Sequence, residues 1–462
     1  MNSKIYLKLI LIVASPILFF TQSSCKKFVE IDASPNLIQS DQLFANDATA
    51  LSAVNGVYLQ MRAVSPSFTN GTLSVYGGLC ADELTPLSPV LEYDAFAKNS
   101  VLSTSTIVSS QMWGSAYRVL YRTNAIIENL QRSTGVSIAT KKQLIGEMKV
   151  VRALSYFILV NLFGDVPLIV SSDYRENEHK PRAAVNEVYQ QIINDLTDAV
   201  NLLSEDYPSN GRLRPNKLTA AALLAKAYLF NSDWSNAEIL SSIVIVSGRY
   251  NLPVNLNDVF KVTSSETIWQ IAPANESRNT VEGSLFIPSS ITSIPTFSLS
   301  SSLTNSFESG DLRKTNWLGV NSVNGNQYYY PFKYKRRTVT PVDEYNIVLR
   351  LSEQYLIRSE ARARQNRIAE AIADLNMIRS RAGLPNTLAS NQATLLSAII
   401  SERRVELFAE WGHRWFDLKR YGLTNTILAP LKGSNWQETD ILMPVPFTEI
   451  QINSSLVQNP GY

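Results

Sequence analysis

The chain has 462 residues, of which 45% are hydrophobic and 10% aromatic, and this length and composition are typical of a globular protein with a large core. Its 42 basic residues are matched by 40 acidic ones, so the chain lacks the excess of positive charge that binding to a phosphate backbone requires. Composition therefore argues against nucleic acid as a partner.

The N-terminal segment MNSKIYLKLILIVASPILFFTQSSC has the layout of a secretory signal. A basic start precedes an apolar run over residues 9–20, which is too short to span a bilayer comfortably as a helix. We expect a signal peptide at residues 1–24, with Cys25 lipidated because small residues precede it. Gln22 replaces the apolar residue usual three positions before such a cysteine, and the alternative is an ordinary signal peptide with an unmodified Cys25. Removing the segment takes away two lysines, and 42 − 2 = 40 bases then balance 40 acids.

Cysteine and histidine are too sparse for a disulfide or a zinc-type site. After Cys25 only Cys80 remains, and one thiol cannot form an internal disulfide. His179 and His413 are far apart in the sequence, so no zinc-type ligand cluster can be written. We predict no cofactor and no metal of this type, while a calcium site made of carboxylates stays open.

Helical periodicity begins with DQLFANDATALSAVNGVYLQM and WGSAYRVLYRTNAIIENLQR. The segment KKQLIGEMKVVRALSYFILVNLFGDVPLIV follows, and Gly164 and Pro167 predict the end of its helix. Its apolar residues recur at steps of three and four: Leu144, Met148, Val151, Ile158 and Leu162. NEVYQQIINDLTDAVNLL repeats this pattern at Val188, Ile192, Leu196, Val200 and Leu203.

Two helical hairpins are predicted farther along the chain. Residues 216–248 divide into two helices at residues 231–233, and residues 351–385 show a similar alanine-rich pattern. At a constant offset, the pairs Ala227 with Ala361 and Ala237 with Ala371 coincide, which is typical of tetratricopeptide-type units. About a hundred residues separate the two units, so they are not in tandem.

Two long segments lack helical periodicity. We call residues 65–110 the first excursion and residues 250–345 the second excursion. Both are rich in Ser, Thr, Asn, Pro and Gly with interspersed aromatic residues. Loops of this length in a compact domain usually carry function. The sequence therefore predicts a mainly α scaffold with two long irregular loop regions.

The segment ERRVELFAEWGHRWFDLKRYG, at residues 402–422, concentrates charge and aromatic residues. As a helix it places Arg404 on an apolar stripe, where a buried arginine needs a carboxylate partner. Gly412 is expected to loosen or end this helix and to turn the segment from His413 to Asp417 against the body. Three acids supply local candidates: Glu406, Glu410 and Asp417. The stripe comprises Leu396, Ile400, Leu407, Phe408, Trp411 and Trp415. Because the sequence shows neither an activated nucleophile nor a recognisable catalytic carboxylate pair, the pattern favours a structural role over catalysis.

Six segments in the same order resemble the SusD/RagB family of outer-membrane nutrient-binding lipoproteins. They are CKKFVEID, GEMKVVRALSYFILVNLFGDVPLIV, PRAAVNEVYQQIINDL, VLRLSEQYLIRSEA, ERRVELFAEWGHRWFDLKRYG and LMPVPFTEIQINSSLVQNPGY. The resemblance implies one SusD-like domain over residues 25–462, with a helical scaffold containing tetratricopeptide-type helix pairs. It also implies a lipid-anchored protein on the exterior of the outer membrane that is not an enzyme.

The resemblance further implies a partner and a ligand. The partner is a TonB-dependent barrel of the SusC type, which receives a captured oligosaccharide for import. In this family the ligand site lies in variable loops, which correspond here to the two excursions. Sugars stack their C–H faces on aromatic rings, and their hydroxyl groups bind acids and amides. The expected ligand-binding residues are therefore Tyr76, Asp82, Glu83, Tyr93, Trp317, Tyr328, Tyr329 and Tyr330.

Other interpretations stay open at this point. The ligand is an oligopeptide in some members of the family, and a helical-repeat adaptor would bind only proteins. A glycoside hydrolase would need two carboxylates facing each other across one cleft, whereas the acids here are spread along helices. Trp113 and Trp269 are expected in the core, and Lys333 to Arg337 form either a solvated turn or a contact for an acidic ligand.

Overall fold

Helices dominate the structure, as the periodicity predicts. The computed structural model describes residues 40–62, 66–274, 279–338 and 340–462, and Phe44–Tyr462 form one compact unit. The predicted signal peptide and Cys25 lie outside the described residues. No helix in the described ranges is both long and apolar enough to cross a membrane.

The helices of the first half of the chain are α1 (Ser40–Leu43), α2 (Asp47–Met61), α3 (Gly78–Cys80), α4 (Leu91–Ala97), α5 (Gly114–Arg132), α6 (Ile138–Phe163), α7 (Tyr174–Asn177), α8 (Val185–Leu202), α9 (Lys217–Phe230) and α10 (Trp234–Val246). Those of the second half are α11 (Val281–Phe286), α12 (Ser301–Thr304), α13 (Leu312–Trp317), α14 (Leu351–Arg364), α15 (Ile368–Arg381), α16 (Gln392–Glu406), α17 (His413–Arg420), α18 (Thr424–Lys432) and α19 (Phe447–Ile452). Two π-helical segments, Leu73–Gly77 and Ile107–Trp113, precede α3 and α5.

The central helix α6 begins and ends at residues that the sequence marks. The Ser137 hydroxyl caps its N-terminus by accepting a hydrogen bond from the amide of Thr140 at 3.3 Å. Gly164 ends it at φ 71°, a left-handed value that favours glycine. All five predicted stripe residues of this helix are buried, and α6 packs against α5 and α8. Nearly every turn of α6 is covered, so it forms the centre of the core.

The two predicted hairpins form and pack on each other. The helices α9 and α10 pair, α14 and α15 pair, and α10 packs against α14. The four aligned alanines Ala227, Ala237, Ala361 and Ala371 are fully buried, so small side chains let the helices approach closely. Units that are distant in sequence are thus neighbours in space, which confirms the tetratricopeptide-type prediction.

Short antiparallel strand pairs join segments that the helical pattern does not connect. The strands are β1 (Leu84–Pro86), β2 (Val166–Pro167), β3 (Arg182–Ala183), β4 (Thr267–Ile271), β5 (Phe297–Leu299), β6 (Leu318–Val323), β7 (Asn326–Pro331) and β8 (Asn346–Arg350). They pair as β1–β5, β2–β3, β4–β8 and β6–β7. The β1–β5 pair, with Leu84 opposite Leu299, ties the first excursion to the second. The sequence analysis did not predict the strands that lie within the excursions, β1 and β4 to β7.

The charged segment at residues 402–422 is structural, but it is not one helix. The helix α16 ends at Glu406, and α17 starts only after Gly412, whose φ is 68°. Between them, the amide of Ala409 donates to Glu83 at 3.3 Å, and that of Trp411 donates to Ser74 at 3.2 Å. The predicted apolar stripe is therefore interrupted at this turn, which packs against the first excursion.

A network of buried ion pairs surrounds this turn. Arg350 donates to Glu406 at 2.6 Å, to Glu410 at 2.9 Å and to Glu266 at 2.9 Å. Lys333 pairs with Glu410 at 2.5 Å inside the protein. These groups come from the second excursion, from the end of β8, and from α16 and the turn that follows it, so they hold separate parts of the chain in one arrangement.

The predicted local partners of Arg404 are wrong. Arg404 binds Asp82 in the first excursion at 2.6 Å, because the side chain leaves its own helix and points to that loop. Asp417 instead accepts hydrogen bonds from Arg403, at 2.8 Å, and from Arg420, at 2.8 Å. Burial raises the pKa of Asp417, but these arginines outweigh burial and lower it to about 2.

Candidate functional site

The two excursions meet at the β1–β5 pair. Beside this pair, the amide of Ser300 donates to the carbonyl of Glu83 at 2.8 Å, and its hydroxyl donates to the carbonyl of Asp82 at 2.6 Å. The strand β5 also contacts β7, so the β6–β7 hairpin belongs to the same surface. The structure therefore brings together the regions in which the predicted ligand-binding residues lie.

Tyr76 and Tyr93 belong to an aromatic cluster at this junction. The ring centroids of Tyr76 and Phe96 are 4.5 Å apart, and those of Tyr93 and Phe297 are 4.7 Å apart. Tyr76 is buried, whereas Tyr93 keeps part of its ring exposed. Of these two predicted residues, Tyr93 is the one with a surface that a ligand can reach.

Asp82 and Glu83 lie inside the protein. The Asp82 carboxylate accepts from Arg414 at 2.7 Å and from Arg404 at 2.6 Å, so it joins the first excursion to α17 and α16. Burial raises the pKa of Glu83 to about 7, and its carboxylate accepts the amide of Ala409. In this structure both acids serve the scaffold, because neither is exposed to a ligand hydroxyl.

Trp317 also lies in the interior, contrary to its expected place on the surface. Its indole is fully buried, and the indole N–H donates to the carbonyl of Leu256 at 3.1 Å. The ammonium group of Lys333 lies 4.8 Å from the ring centroid, a cation–π contact. A completely covered indole has no free face for a sugar. Trp113 and Trp269 are buried, as the sequence predicts.

The β6–β7 hairpin carries the three consecutive tyrosines. Tyr330 lies opposite Gly319 and is buried, and a Cβ on that glycine would come within 2.3 Å of the tyrosine ring. The missing side chain thus lets the ring lie flat on β6. Tyr328 lies opposite Asn321, and Tyr329 opposite Val320; both tyrosines are partly exposed.

A groove of about 570 Å³ runs along this hairpin, and we call it the hairpin groove. Val320 and Tyr330 line it. Tyr329 projects from the same face as Val320, because cross-strand partners share a face. The volume is within the range of small-molecule sites, and most of the residues that line the groove are polar or charged. Of the predicted residues, Tyr330 is the one that lines this groove, and the partly exposed Tyr328 and Tyr329 precede it in β7.

Charged groups line the other side of the hairpin groove, and the sequence did not single out the acids among them. Asp343 pairs with Arg336 at 3.2 Å. Glu344 accepts the amides of Lys335 and Arg336 at 2.6 Å and 2.9 Å, and burial raises its pKa to about 7. Burial also lowers the pKa of Lys335 to about 8. Their partners lie within a few residues, so these acids fix the loop.

A metal-binding arrangement does not emerge from the described ranges. Within them, no three acid, histidine or cysteine side chains come close enough together to hold an ion. Cys80 is buried, and burial raises the pKa of its thiol to about 12. His413 lies 3.6 Å from Glu353 in the core, and burial holds its pKa well below the usual value.

Comparisons with known proteins agree with this architecture. The profile of a family described as "Starch-binding associating with outer membrane" matches residues 92–229, and that of the "SusD family" matches residues 311–462. A SusD-like protein of Formosa agariphila is 25% identical, and the match covers 98% of this chain and 99% of that protein. The starch-binding protein SusD of Bacteroides thetaiotaomicron is 34% identical over 122 residues, which are 25% of this chain and 21% of that protein.

Solved structures show the same fold. A "Laminarin binding SusD-like protein" superposes with a TM-score of 0.78 at 26% identity, covering 91% of this chain and 100% of that chain. A SusD superfamily protein of Bacteroides vulgatus gives a TM-score of 0.78 at 26% identity, with the same coverage. Since two SusD-type profiles match residues 92–229 and 311–462, which together are more than half of the chain, and a SusD-like relative matches nearly its full length, the chain belongs to the SusD/RagB family.

Proposed function

We propose that the protein is an outer-membrane lipoprotein that binds an oligosaccharide at the surface where its two excursions meet. It then delivers the ligand to a TonB-dependent barrel of the SusC type and catalyses no reaction on it. The observation that carries this proposal is the hairpin groove itself, which Tyr330 lines and which lies on the hairpin that also carries the partly exposed Tyr328 and Tyr329. Relatives whose names state laminarin or starch binding support the choice of a glycan.

The shape and chemistry of the hairpin groove suit a sugar. On the hairpin that borders the groove, the partly exposed rings of Tyr328 and Tyr329 offer flat faces for pyranose C–H groups. Asn257, Asn316 and Thr315 line the groove and provide amide and hydroxyl groups for sugar hydroxyls. An open groove of this kind accepts a chain of sugar units from its side, which a closed pocket would not.

The acids at the hairpin groove support binding without catalysis. A glycoside hydrolase needs two carboxyl groups that face each other across the scissile bond, about 5–10 Å apart. Asp343 and Glu344 are adjacent in sequence, and each has a partner in the same loop. Neither is free to act as an acid or a nucleophile on a bound glycan. An activity screen on polysaccharides tests this point, and release of reducing ends would contradict it.

Isothermal titration calorimetry with a protein lacking residues 1–25 tests ligand binding. A panel of neutral and acidic oligosaccharides should include one class that binds, and Tyr329→Ala should weaken it about tenfold or more. Tyr329→Phe is the matched control, because it keeps the ring and should keep most of the affinity. Binding of oligopeptides alone would move the protein to the peptide-binding members of its family. Silence toward both classes would contradict the proposal.

Membrane attachment has a separate test. Replacing Cys25 with serine removes the thiol that would carry the lipid, so the protein should leave the outer-membrane fraction. Retention of Cys25→Ser in that fraction would contradict lipidation. Co-purification of the wild-type protein with a SusC-type barrel from the native membrane checks the partner.

A further inference from the structure

A second cavity, of about 330 Å³, lies between α5, α7 and α19, and we call it the C-terminal cleft. Its lining includes residues from the end of the chain, such as Ile452 and Asn453. It shares no lining residue with the hairpin groove. All of its lining residues lie outside both excursions, so the predicted ligand site does not account for it.

Aromatic residues form one wall of the C-terminal cleft. Trp113, Tyr117 and Tyr121 follow each other at intervals of four residues, so they lie along one face of the helix. Trp113 is buried, Tyr117 is half-buried, and Tyr121 is 57% exposed. The ring centroids of Trp113 and Tyr117 are 5.0 Å apart. The wall therefore rises from the core to the surface as a continuous series of rings.

The inner part of this wall is rigid. Tyr117 donates its hydroxyl proton to the carbonyl of Pro167 at 2.9 Å, and Trp113 packs edge-on against Phe163 with ring centroids 5.0 Å apart. Tyr121 differs, because its hydroxyl makes no hydrogen bond with any described residue. A fixed base thus supports one outer ring whose polar end is available.

Tyr174 faces the cleft from the opposite side. It is the first residue of α7 and is 71% exposed, and Ile452 beside the cleft is 76% exposed. Tyr121 and Tyr174 thus lie at the rim of one cavity, and both rings are exposed to solvent. Their faces are free to stack against a ligand. Isolated exposed apolar residues are ordinary, but their convergence on a concave site is not.

The polar groups of the C-terminal cleft indicate the charge of its ligand. Glu178 and Glu449 are the ionisable acids that line it, and the described lining contains no lysine or arginine. Burial raises the pKa of Glu449, and the neighbouring Trp113 side chain lowers it in part. Asn453 and Ser172 add an amide and a hydroxyl. Carboxylates without cations disfavour an anionic ligand and can accept hydrogen bonds from neutral hydroxyl groups.

We infer that the C-terminal cleft is a second carbohydrate-binding site, which takes a neutral oligosaccharide between Tyr121 and Tyr174. The inference rests on the proposed function for the class of ligand, and it adds a site that lies apart from the hairpin groove. A volume of about 330 Å³ is at the lower end of the usual range for ligand pockets, so the site holds a short stretch of glycan. A single long chain that reached both sites would bind more tightly than either site alone allows.

Calorimetry with site-specific variants tests this inference. The probes are laminarihexaose, maltohexaose and neutral oligosaccharides of mannose, xylose and galactose. The double variant Tyr121→Ala/Tyr174→Ala removes both rim rings, and Tyr121→Phe/Tyr174→Phe is its matched control. Both tyrosines are largely exposed, so the variants should fold, and circular dichroism checks this. Tyr329→Ala reports separately on binding at the β6–β7 hairpin.

We expect the wild type to bind a neutral glycan at two classes of site. The alanine double variant should lose one class of site in the titration, and the phenylalanine double variant should keep both. Wild-type stoichiometry and affinity in the alanine pair, together with loss of binding in Tyr329→Ala, would overturn the second site and leave the proposed function intact. No glycan binding by the wild type would contradict both. If the alanine double variant bound glycans as the wild type does but no longer co-purified with the barrel, the cleft would be a protein-binding surface, and the inference would be overturned.

Discussion

Glu406 is the acid on which the buried ion network converges, and replacing it with glutamine tests how much the network contributes to stability. Its carboxylate accepts from Arg350 at 2.6 Å, from Arg313 at 3.0 Å and from Arg381. The side chain is fully buried, and although burial raises its pKa, these arginines lower it well below the usual range. Glu406→Gln keeps the shape of the side chain and removes its charge.

The expected loss follows from the geometry. One carboxylate oxygen binds Arg350 and Arg381, and the other binds Arg313. Either orientation of the glutamine amide therefore points its NH₂ group at a guanidinium donor. Removing one partner of a buried ion pair costs about 3–5 kcal/mol, because the remaining charge stays desolvated. The total free energy of unfolding of a domain is typically about 5–15 kcal/mol, so the variant should be severely destabilised.

Urea unfolding of the wild type and two variants measures the effect. The control is Glu308→Gln, which makes the same change at the rim, where Glu308 is 52% exposed and binds Arg379 at 2.6 Å. Exposed ion pairs contribute about 1 kcal/mol or less, so this control should unfold near the wild-type urea concentration. If Glu406→Gln costs no more than Glu308→Gln, the network does not stabilise the fold and the reasoning fails.

Two further predictions concern pH and packing. Asp417 has a pKa of about 2 in the folded protein against 3.8 for the free side chain, so its contribution to stability is present above about pH 4 and is lost as the pH falls toward 2. Asp417→Asn should therefore be destabilised at pH 5 but lose less further stability than the wild type between pH 5 and pH 3, as urea midpoints will show; parallel losses would contradict this. Gly319→Ala should lower the free energy of unfolding by about 1–3 kcal/mol, because its Cβ would lie 2.3 Å from the Tyr330 ring. Gly56→Ala lies in the middle of α2 with nothing within 4 Å of its Cβ, so it should raise the free energy of unfolding by about 0.5–1 kcal/mol. Thermal unfolding of both variants measures the two effects. Equal effects of the two changes would show that the ring contact is unimportant.

The helical scaffold could be predicted because its signals are local. The break at residues 231–233 separates α9, which ends at Phe230, from α10, which begins at Trp234. Alanine spacing was enough to align two hairpins that are far apart in sequence and adjacent in space. Residue 164 ended α6 as predicted, since glycine adopts the left-handed backbone there without a steric penalty.

The loops could not be predicted to the same extent, because distant residues decide which side chains they expose. Trp317 and Tyr329 both occur among polar residues, yet Trp317 is buried by Leu256 and Lys333 while Tyr329 stays partly open. Arg404 was paired with acids in its own segment, whereas its partner is Asp82. No pattern of spacing reports a contact of that range.

The C-terminal cleft escaped the sequence analysis for a related reason. Trp113, Tyr117 and Tyr121 have the spacing of a buried helical stripe, and only the first of them is in the core. The opposite side comes from Tyr174 and Ile452, which no local pattern connects to α5. The exposure of the outer rings was thus the missing information.

The ion pairs of Asp82 with Arg404 and Arg414 join points that are 322 and 332 residues apart in the chain. Contacts of this range form slowly, because a long loop must close before they stabilise anything. The helical hairpins need only their neighbours and can fold earlier. A chain interrupted before these arginines would already be rich in helix but would lack the charges that fix its first excursion. An ordered first excursion therefore reports that the whole polypeptide has reached its native state.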